Sequence, residues 1–302
     1  MELPVIDFSV GDVCSNDRVI SQLHEAFTHT GFVFIKNHGI EQQKINLAFE
    51  IAKQFFKLPL PTKLLYQRND NSKNSGYVCV EQESLNPSQP ADLKECYNVS
   101  PGPCQIWPDV GFPFKETIQN LFLACEQLTL KILECMGKGL QLEDPQFFVK
   151  AHQEIGDTEK NFTTLRLLHY PPLGENTTIK PGQLRCGEHV DYGSVTLLFQ
   201  DSIGGLQVKH SSGEYINAPY VPDAVLVNLG ALMQNWTADK YLATPHRVLI
   251  PADETKRQTV RQSIAFFAHP DNKCLIKCID GSNKYPPITA EDDLHERLAR
   301  TY

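Results

Sequence analysis

The run Gly187-Glu188-His189-Val190-Asp191 contains the spacing His-x-Asp. If the segment is extended, residues i and i+2 point to one face, so the imidazole of His189 and the carboxylate of Asp191 converge on a point, as metal ligands must. A third ligand has to come from elsewhere in the fold. Of the ten histidines, His246 is the best placed, because Thr244-Pro245-His246-Arg247-Val248 opens a strand-like run. Two imidazoles and one carboxylate on one face of an ion leave the opposite positions open, which suits non-haem Fe(II) that binds both a cosubstrate and O2. Structural zinc calls for a closed, usually cysteine-rich tetrahedron, and a harder ion calls for more oxygens. His-x-Asp alone is a weak signal, since surface or core histidines explain such pairs equally well. A second constellation gives it weight. Arg261-Gln262-Ser263 lies in a β-rich run that ends Ile264–Ala268, so Arg261 and Ser263 share one strand face. A guanidinium offers two parallel bonds to a carboxylate and the hydroxyl adds one more, which matches the far end of a dicarboxylate. The plain alternative is a solvated surface arginine; facing inward among apolar neighbours, Arg261 would need an anionic partner.

Strands have to hold these residues, and the chain supplies them late. After Asn161, strand-like runs recur at Thr163–His169, Val195–Phe199, Leu206–Val208, Ala224–Asn228, His246–Ile250 and Ser263–Ala268. Turn signals at Pro171-Pro172, Gly204-Gly205, Ser211-Ser212-Gly213, Pro222-Asp223 and Pro251 separate them. Short strands at such spacing predict an antiparallel barrel or jelly roll. The first part reads differently. Val5–Phe8 is strand-like, and Asn16 or Asp17 caps a helix with Val19, Leu23, Ala26 and Phe27 on one face, ended by Gly31. Phe32–Ile35 is β-rich, and a second helix carries Ile45, Ala48, Ile51, Ala52 and Phe55 until Leu58-Pro59 and Pro61 end it. A long amphipathic helix is expected from about Lys115 to Leu140. Between Asn69 and Pro113, Asn, Ser, Pro and Gly dominate, which predicts a long irregular surface segment of the kind that often serves as a lid. Thr289 with Asp292 makes a capping box for a helix over Ala290–Ala299.

Composition narrows the partners. Lys+Arg 28 against Asp+Glu 36 gives a net charge of −8, which argues against a nucleic-acid groove or an anionic membrane surface. The charged fraction of 21% argues against disorder. Nine cysteines without framework spacing favour free thiols in a reducing compartment. The acidic start, broken by Pro4, has neither a basic n-region nor an apolar h-region, and runs such as Phe32–Ile35 and Ala224–Val227 are too short to span a bilayer. The expectation is a monomer in the cytoplasm, working on a small-molecule substrate without nucleic acid or membrane.

In order and spacing, His189-x-Asp191, His246 and Arg261-x-Ser263 resemble the iron- and 2-oxoglutarate-dependent dioxygenases of the isopenicillin N synthase-like branch. The resemblance extends further. Pro4-Val5-Ile6-Asp7-Phe8 is similar to that family's opening strand, and Gly31–Ile40, with Asn37-His38-Gly39, to its next segment. Leu165–Pro172 is similar to its tyrosine-proline strand, and His189–Leu198 with Val227–Val248 to its barrel core. The likeness spans about Leu3 to Pro270. It implies a mainly β fold with flanking α-helices around a double-stranded β-helix (jelly roll) core. It also implies one dioxygenase domain over 1–302: a mainly helical part and lid at 1–160, the core carrying the site at 161–270, and a C-terminal segment with a short helix at 271–302.

On the same resemblance, His189, Asp191 and His246 bind Fe(II) and act as the catalytic centre. The cosubstrate 2-oxoglutarate chelates the metal, Arg261 and Ser263 hold its C5 carboxylate, and Tyr170 donates a further hydrogen bond. O2 is the oxidant and ascorbate a supporting reductant. The implied reaction hydroxylates a small organic molecule, or desaturates or cyclises it, and releases succinate and CO2. Two departures stand out: the family's common asparagine and first tyrosine before Tyr170 are Leu168 and His169 here, and Asn228-Leu229-Gly230-Ala231 lacks the acidic residue that often follows the glycine. Neither touches the metal ligands.

Tyr77, Phe199 and Phe267 are candidates for the substrate pocket, although aromatic residues are more often core than pocket. His38 reads as a turn residue, Cys274 and Cys278 as incidental thiols, and Trp236 and Tyr241 as packing on the barrel flank. Two other functions fit less well. An iron oxidase of the same fold would do without 2-oxoglutarate, against which Tyr170 leans. A non-catalytic jelly-roll binding protein would not need the intact triad.

Overall fold

The computed structural model describes residues 2–69, 74–84, 89–102, 105–174 and 177–301. In chain order the first part carries β1 (Val5–Asp7), α1 (Asp17–His29), β2 (Phe32–Lys36), α2 (Gln42–Phe56), α3 (Leu60–Leu64), β3 (Gly76–Val78), β4 (Glu95–Val99), α4 (Phe114–Gly139) and α5 (Phe147–Lys150). The second carries β5 (Thr164–Tyr170), β6 (Cys186–His189), β7 (Val195–Gln200), β8 (Leu206–Lys209), β9 (Tyr215–Asn217), β10 (Ala224–Leu229), α6 (Ala231–Trp236), β11 (His246–Val248), α7 (Glu254–Arg257) and β12 (Arg261–Ala268). A small hairpin, β13 (Leu275–Ile276) with β14 (Ile288–Thr289), leads to α8 (Ala290–Thr301). The capping box forms: the Thr289 hydroxyl donates to Asp292 at 2.6 Å and accepts from the Asp292 N–H at 3.2 Å.

Two sheets make the jelly roll, a major one in the order β1-β2-β10-β7-β12-β5-β4-β3 and a minor one in the order β6-β11-β8-β9. Period-2 alternation divides the major sheet cleanly. Ile264, Phe266 and Ala268 of β12, Val195, Leu197 and Phe199 of β7, and Val225, Val227 and Leu229 of β10 pack on the buried faces of α1, α2 and α4. Residues of opposite parity, among them Ala265, Phe267, Leu168, Tyr170, Leu198 and Leu226, face the minor sheet. Each fully buried aliphatic or aromatic side chain contributes about 1.5–3 kcal/mol, so the two faces together fix the register that aims the polar residues.

The stretch between Asn69 and Pro113 departs from its expected irregularity. It contains β3 and β4, which extend the major sheet beside β5, and every residue of β4 is buried. Its polar residues hide the strand in the sequence, because they can be buried only with partners. Glu95 accepts a bond of 2.6 Å from Lys63 and another from Tyr77, and Asn98 accepts one of 2.8 Å from Arg166. In the same way β6, Cys-Gly-Glu-His, and β9, Tyr-Ile-Asn, carry no apolar run that would announce them.

Candidate functional site

β6 and β11 lie antiparallel with His189 opposite His246, which sets the two imidazoles 4.2 Å apart, centroid to centroid. Asp191 lies just beyond β6. Its Oδ1 is 3.7 Å from His189 Nε2 and 3.8 Å from His246 Nε2, and the ligand atoms of the three residues all fall within 4.8 Å of one another. Among the described residues this is the one group of three or more such side chains close enough to hold a metal ion. Each imidazole is oriented from behind. His189 Nδ1 donates to the Gly187 carbonyl at 2.8 Å and His246 Nδ1 to the Thr244 carbonyl at 3.1 Å, leaving both Nε2 lone pairs for an ion. Asp191 Oδ2 accepts from Thr196 Oγ1 and Asn228 Nδ2, both at 2.7 Å, so Oδ1 stays available. Burial pushes the Asp191 carboxyl up, but the two imidazoles and the two donors outweigh it and hold it below the usual carboxylate range. Burial, and then the neighbouring His189, lowers His246 to about 4, so it is neutral and ligand-competent at pH 7.

The turn that carries Asp191 is held by backbone contacts that exclude side chains. Ala231 and Leu232, at the start of α6, donate to the carbonyls of Asp191 and Tyr192 at 2.8 and 3.1 Å. A Cβ on Gly230 would stand 2.2 Å from the Gly193 carbonyl oxygen, and one on Gly193 would stand 2.3 Å from that of Ala268. Only glycine admits this approach. Behind the turn, Ser194 donates to His152 Nε2 at 2.7 Å, while His152 Nδ1 donates to the Phe148 carbonyl at 2.7 Å.

A cavity of about 60 Å³ runs from this group to Arg261, Ser263 and Tyr170. Arg261 pairs with Tyr170 across β12 and β5, and its guanidinium lies over the tyrosine ring at 4.6 Å. It is 1% exposed, and its bonds go to neutral groups: Nε to the Gly204 carbonyl at 2.9 Å, Nη2 to Gln200 at 3.3 Å and Nη1 to Ser263 at 3.4 Å. No described carboxylate pairs with it. A buried cation held this way has its counter-charge still to come, and a ligand carboxylate supplies it. The donor set therefore fits both groups the sequence implied, a divalent ion at one end and a dicarboxylate between the ion and Arg261.

A second cavity of about 70 Å³ meets the first at His189 and Asp191 and opens to the mouth. Asn74, Glu83, Arg166, Tyr192 and Phe267 line it, and Leu294 and Leu298 of α8 close one side. Arg166 Nη1 donates to both Glu83 oxygens at 3.0 and 3.2 Å, and Lys94 pairs with Glu83 at 2.9 Å and with Asp92. Asp92 in turn accepts from the Gly187 N–H at 2.8 Å, tying the mouth to the strand that carries His189.

Of the substrate-pocket candidates, Phe267 lines both cavities. Phe199 and Tyr77 are not brought to the site. Phe199 has the parity of the helix-packed face and borders a separate open groove of about 410 Å³ beside α2. Tyr77 is 1% exposed in the helix-side core, 6.0 Å from Phe55, with its hydroxyl on Glu95. Sequence reasoning missed Arg166, Glu83, Asn74 and Tyr192. Arg166 carried a signal, since it shares strand parity with Leu168 and Tyr170; the others did not. His169, at the departure noted in the sequence, stacks on Phe56 at 5.0 Å with Nδ1 3.0 Å from Glu95. His38 Nδ1 accepts from the Ile40 N–H within its turn, and Cys278 Sγ lies on the Asn235 carbonyl.

Comparison with known proteins agrees with this geometry. Residues 3–109 match the model of the non-haem dioxygenase in morphine synthesis N-terminal domain, and residues 161–270 match the 2OG-Fe(II) oxygenase superfamily. The 2-oxoglutarate-Fe(II) type oxidoreductase PpzD of Metarhizium rileyi is 31% identical over 99% of this chain and 90% of its own. The proline hydroxylase BuaE of Petromyces alliaceus is 30% identical over 95% of this chain and 94% of its own. Among solved structures, a full-length Neurospora crassa protein in complex with alpha-KG and thymine superposes with a TM-score of 0.87 at 33% identity, covering 99% of this chain and 97% of that one.

Proposed function

The chain belongs to the 2OG-Fe(II) oxygenase superfamily, and from that membership we propose how its residues divide the work and what kind of molecule it oxidises. It is a non-haem Fe(II)- and 2-oxoglutarate-dependent oxygenase acting on a small organic molecule. When bound, Fe(II) and 2-oxoglutarate supply the oxidising chemistry, with O2 consumed, succinate and CO2 released and a substrate C–H bond hydroxylated. His189, Asp191 and His246 hold the metal. Arg261 and Ser263 hold the distal carboxylate of 2-oxoglutarate, and Tyr170, whose ring lies 4.6 Å from the guanidinium, donates a further hydrogen bond to the cosubstrate. The barrel excludes water around both. We take 1–302 as one dioxygenase unit and as a monomer of the cytoplasm, on its acidic charge and its described cysteines, all free thiols. No described helix is long and apolar enough to cross a membrane.

One observation carries this reading. Three ligand atoms with fixed lone pairs face a buried, carboxylate-free arginine across one cavity. The prime substrate then occupies the second cavity, where Arg166 is matched by Glu83, and Lys94, which lines the first cavity, is matched by Glu83 and Asp92. Such a wall offers donors and acceptors but no net charge, beside the flat faces of Phe267 and Tyr192. It suits a small, neutral, polar ring, and the Neurospora crassa relative that holds thymine supports that class. The test is to load anaerobic protein with Fe(II) and 2-oxoglutarate, admit O2, and follow succinate with a library of neutral heterocycles, charged acids and acyl chains. Succinate release that rises with neutral heterocycles is expected. Absence of 2-oxoglutarate binding sinks the activity, and stimulation by acyl chains alone sinks the substrate class.

A further inference from the structure

A second buried arginine lies near Arg261, behind the lining of the cosubstrate cavity. Arg185, immediately before β6, is 0% exposed. Its Nη2 donates to the carbonyls of Arg257 at 3.2 Å and Thr259 at 3.3 Å, the two groups between the end of α7 and the start of β12 at Arg261. Its Nε and Nη1 are buried without a partner. Burial, and next the nearby charge of Arg261, push its guanidinium down from the usual value, and Asp201 is the carboxylate within coulombic reach of both arginines. Two buried cations facing one carboxylate leave a positive charge that the fold does not answer.

We propose that Arg185 is a positioning residue for the distal carboxylate of 2-oxoglutarate: it clamps the turn that places Arg261 and supplies the second positive charge that a dicarboxylate neutralises. The inference rests on the reading that 2-oxoglutarate spans the metal and Arg261. Its consequence is selectivity for a distal carboxylate rather than for the 2-oxo acid end.

Calorimetric titration of the anaerobic Fe(II)-loaded protein compares 2-oxoglutarate with 2-oxobutyrate, which keeps the metal-chelating end and lacks the distal carboxylate. In Arg185→Met the 2-oxoglutarate Kd should rise by about 10–100-fold, with 2-oxobutyrate affinity and iron content unchanged; in Arg185→Lys part of the loss should return. Equal weakening of both ligands, or no change in either variant, overturns the proposal, because a purely structural arginine cannot tell the two acids apart. If the unmodified protein itself fails to prefer 2-oxoglutarate, the cosubstrate reading falls and this inference falls with it.

Discussion

At the mouth of the cavity Lys94 and Arg166 are answered by Asp92 and Glu83, all within hydrogen-bonded or ion-paired contact. At the closed end Arg261, and behind it Arg185, bond to neutral oxygens, and Asp201 already accepts from the backbone N–H groups of Gln262 and Ile203. Both regions are buried, so the difference is not one of solvent. Charges that cancel within the protein build a wall, whereas charges left uncancelled mark where a charged ligand completes the structure. The metal group between them belongs to the second kind, since Asp191 is one carboxylate facing a site for a divalent ion.

The largest effect should come where the missing charge is largest. His246→Ala removes one of three ligands and is expected to abolish stoichiometric Fe(II) binding, read as iron content after desalting; full retention of iron would show the ligand set to be wrong. Next come the two ends themselves. Glu83→Gln leaves Lys94 and Arg166 short of a counter-charge, which should cost about 3–5 kcal/mol in denaturant unfolding. Arg261→Met should cost far less stability, because it removes a cation that had no ion-pair partner, yet weaken 2-oxoglutarate binding at least about 30-fold. The comparison breaks if the two variants destabilise equally.

Sequence reasoning reached the closed end more easily than the mouth, and the reason is periodicity. His189 with Asp191, and Arg261 with Ser263, are i, i+2 pairs on single short segments, so one rule aims each pair. The same parity includes Phe267 and excludes Phe199, since Thr196 and Leu198 are the residues of that strand that turn inward. The mouth is assembled otherwise. Glu83, Lys94 and Asp92 come from a stretch rich in loop-forming residues, and their pairing with Arg166 depends on β4 lying beside β5, a contact far apart in sequence. Nothing local in Glu-Cys-Tyr-Asn-Val announces a buried strand, because its polar residues are satisfied only after the sheet has formed. Arg185 was equally silent, since its role lies in two carbonyls some seventy residues downstream.

A smaller effect probes the neutral bonds that frame the metal end. Asn228→Ala removes one of two donors to Asp191 Oδ2 and frees that oxygen to rotate. Supporting partners of this kind are worth about 10–100-fold in metal affinity. A competition titration with a chromophoric chelator should show that loss with the unfolding midpoint of the metal-free protein little changed; an unaltered affinity would mean Thr196 alone orients the carboxylate.

The gentlest test is a pH dependence. His152 bonds to Ser194 behind the Asp191 turn and to the Phe148 carbonyl, both neutral partners, and burial lowers its imidazole to about 4 despite the opposing effect of the Phe148 carbonyl. The unfolded chain, with an ordinary imidazole near 6.5, therefore takes up the proton first. The stability this histidine confers is complete above about pH 6.5 and drains away as pH falls toward 4, by about 1.4 kcal/mol at pH 5.5. In His152→Gln the group no longer titrates, so metal-free protein should lose that much less stability between pH 7.5 and 5.5 than the parent does. Parallel unfolding curves for parent and variant across the range would mean that burial does not lower the His152 imidazole in the folded protein.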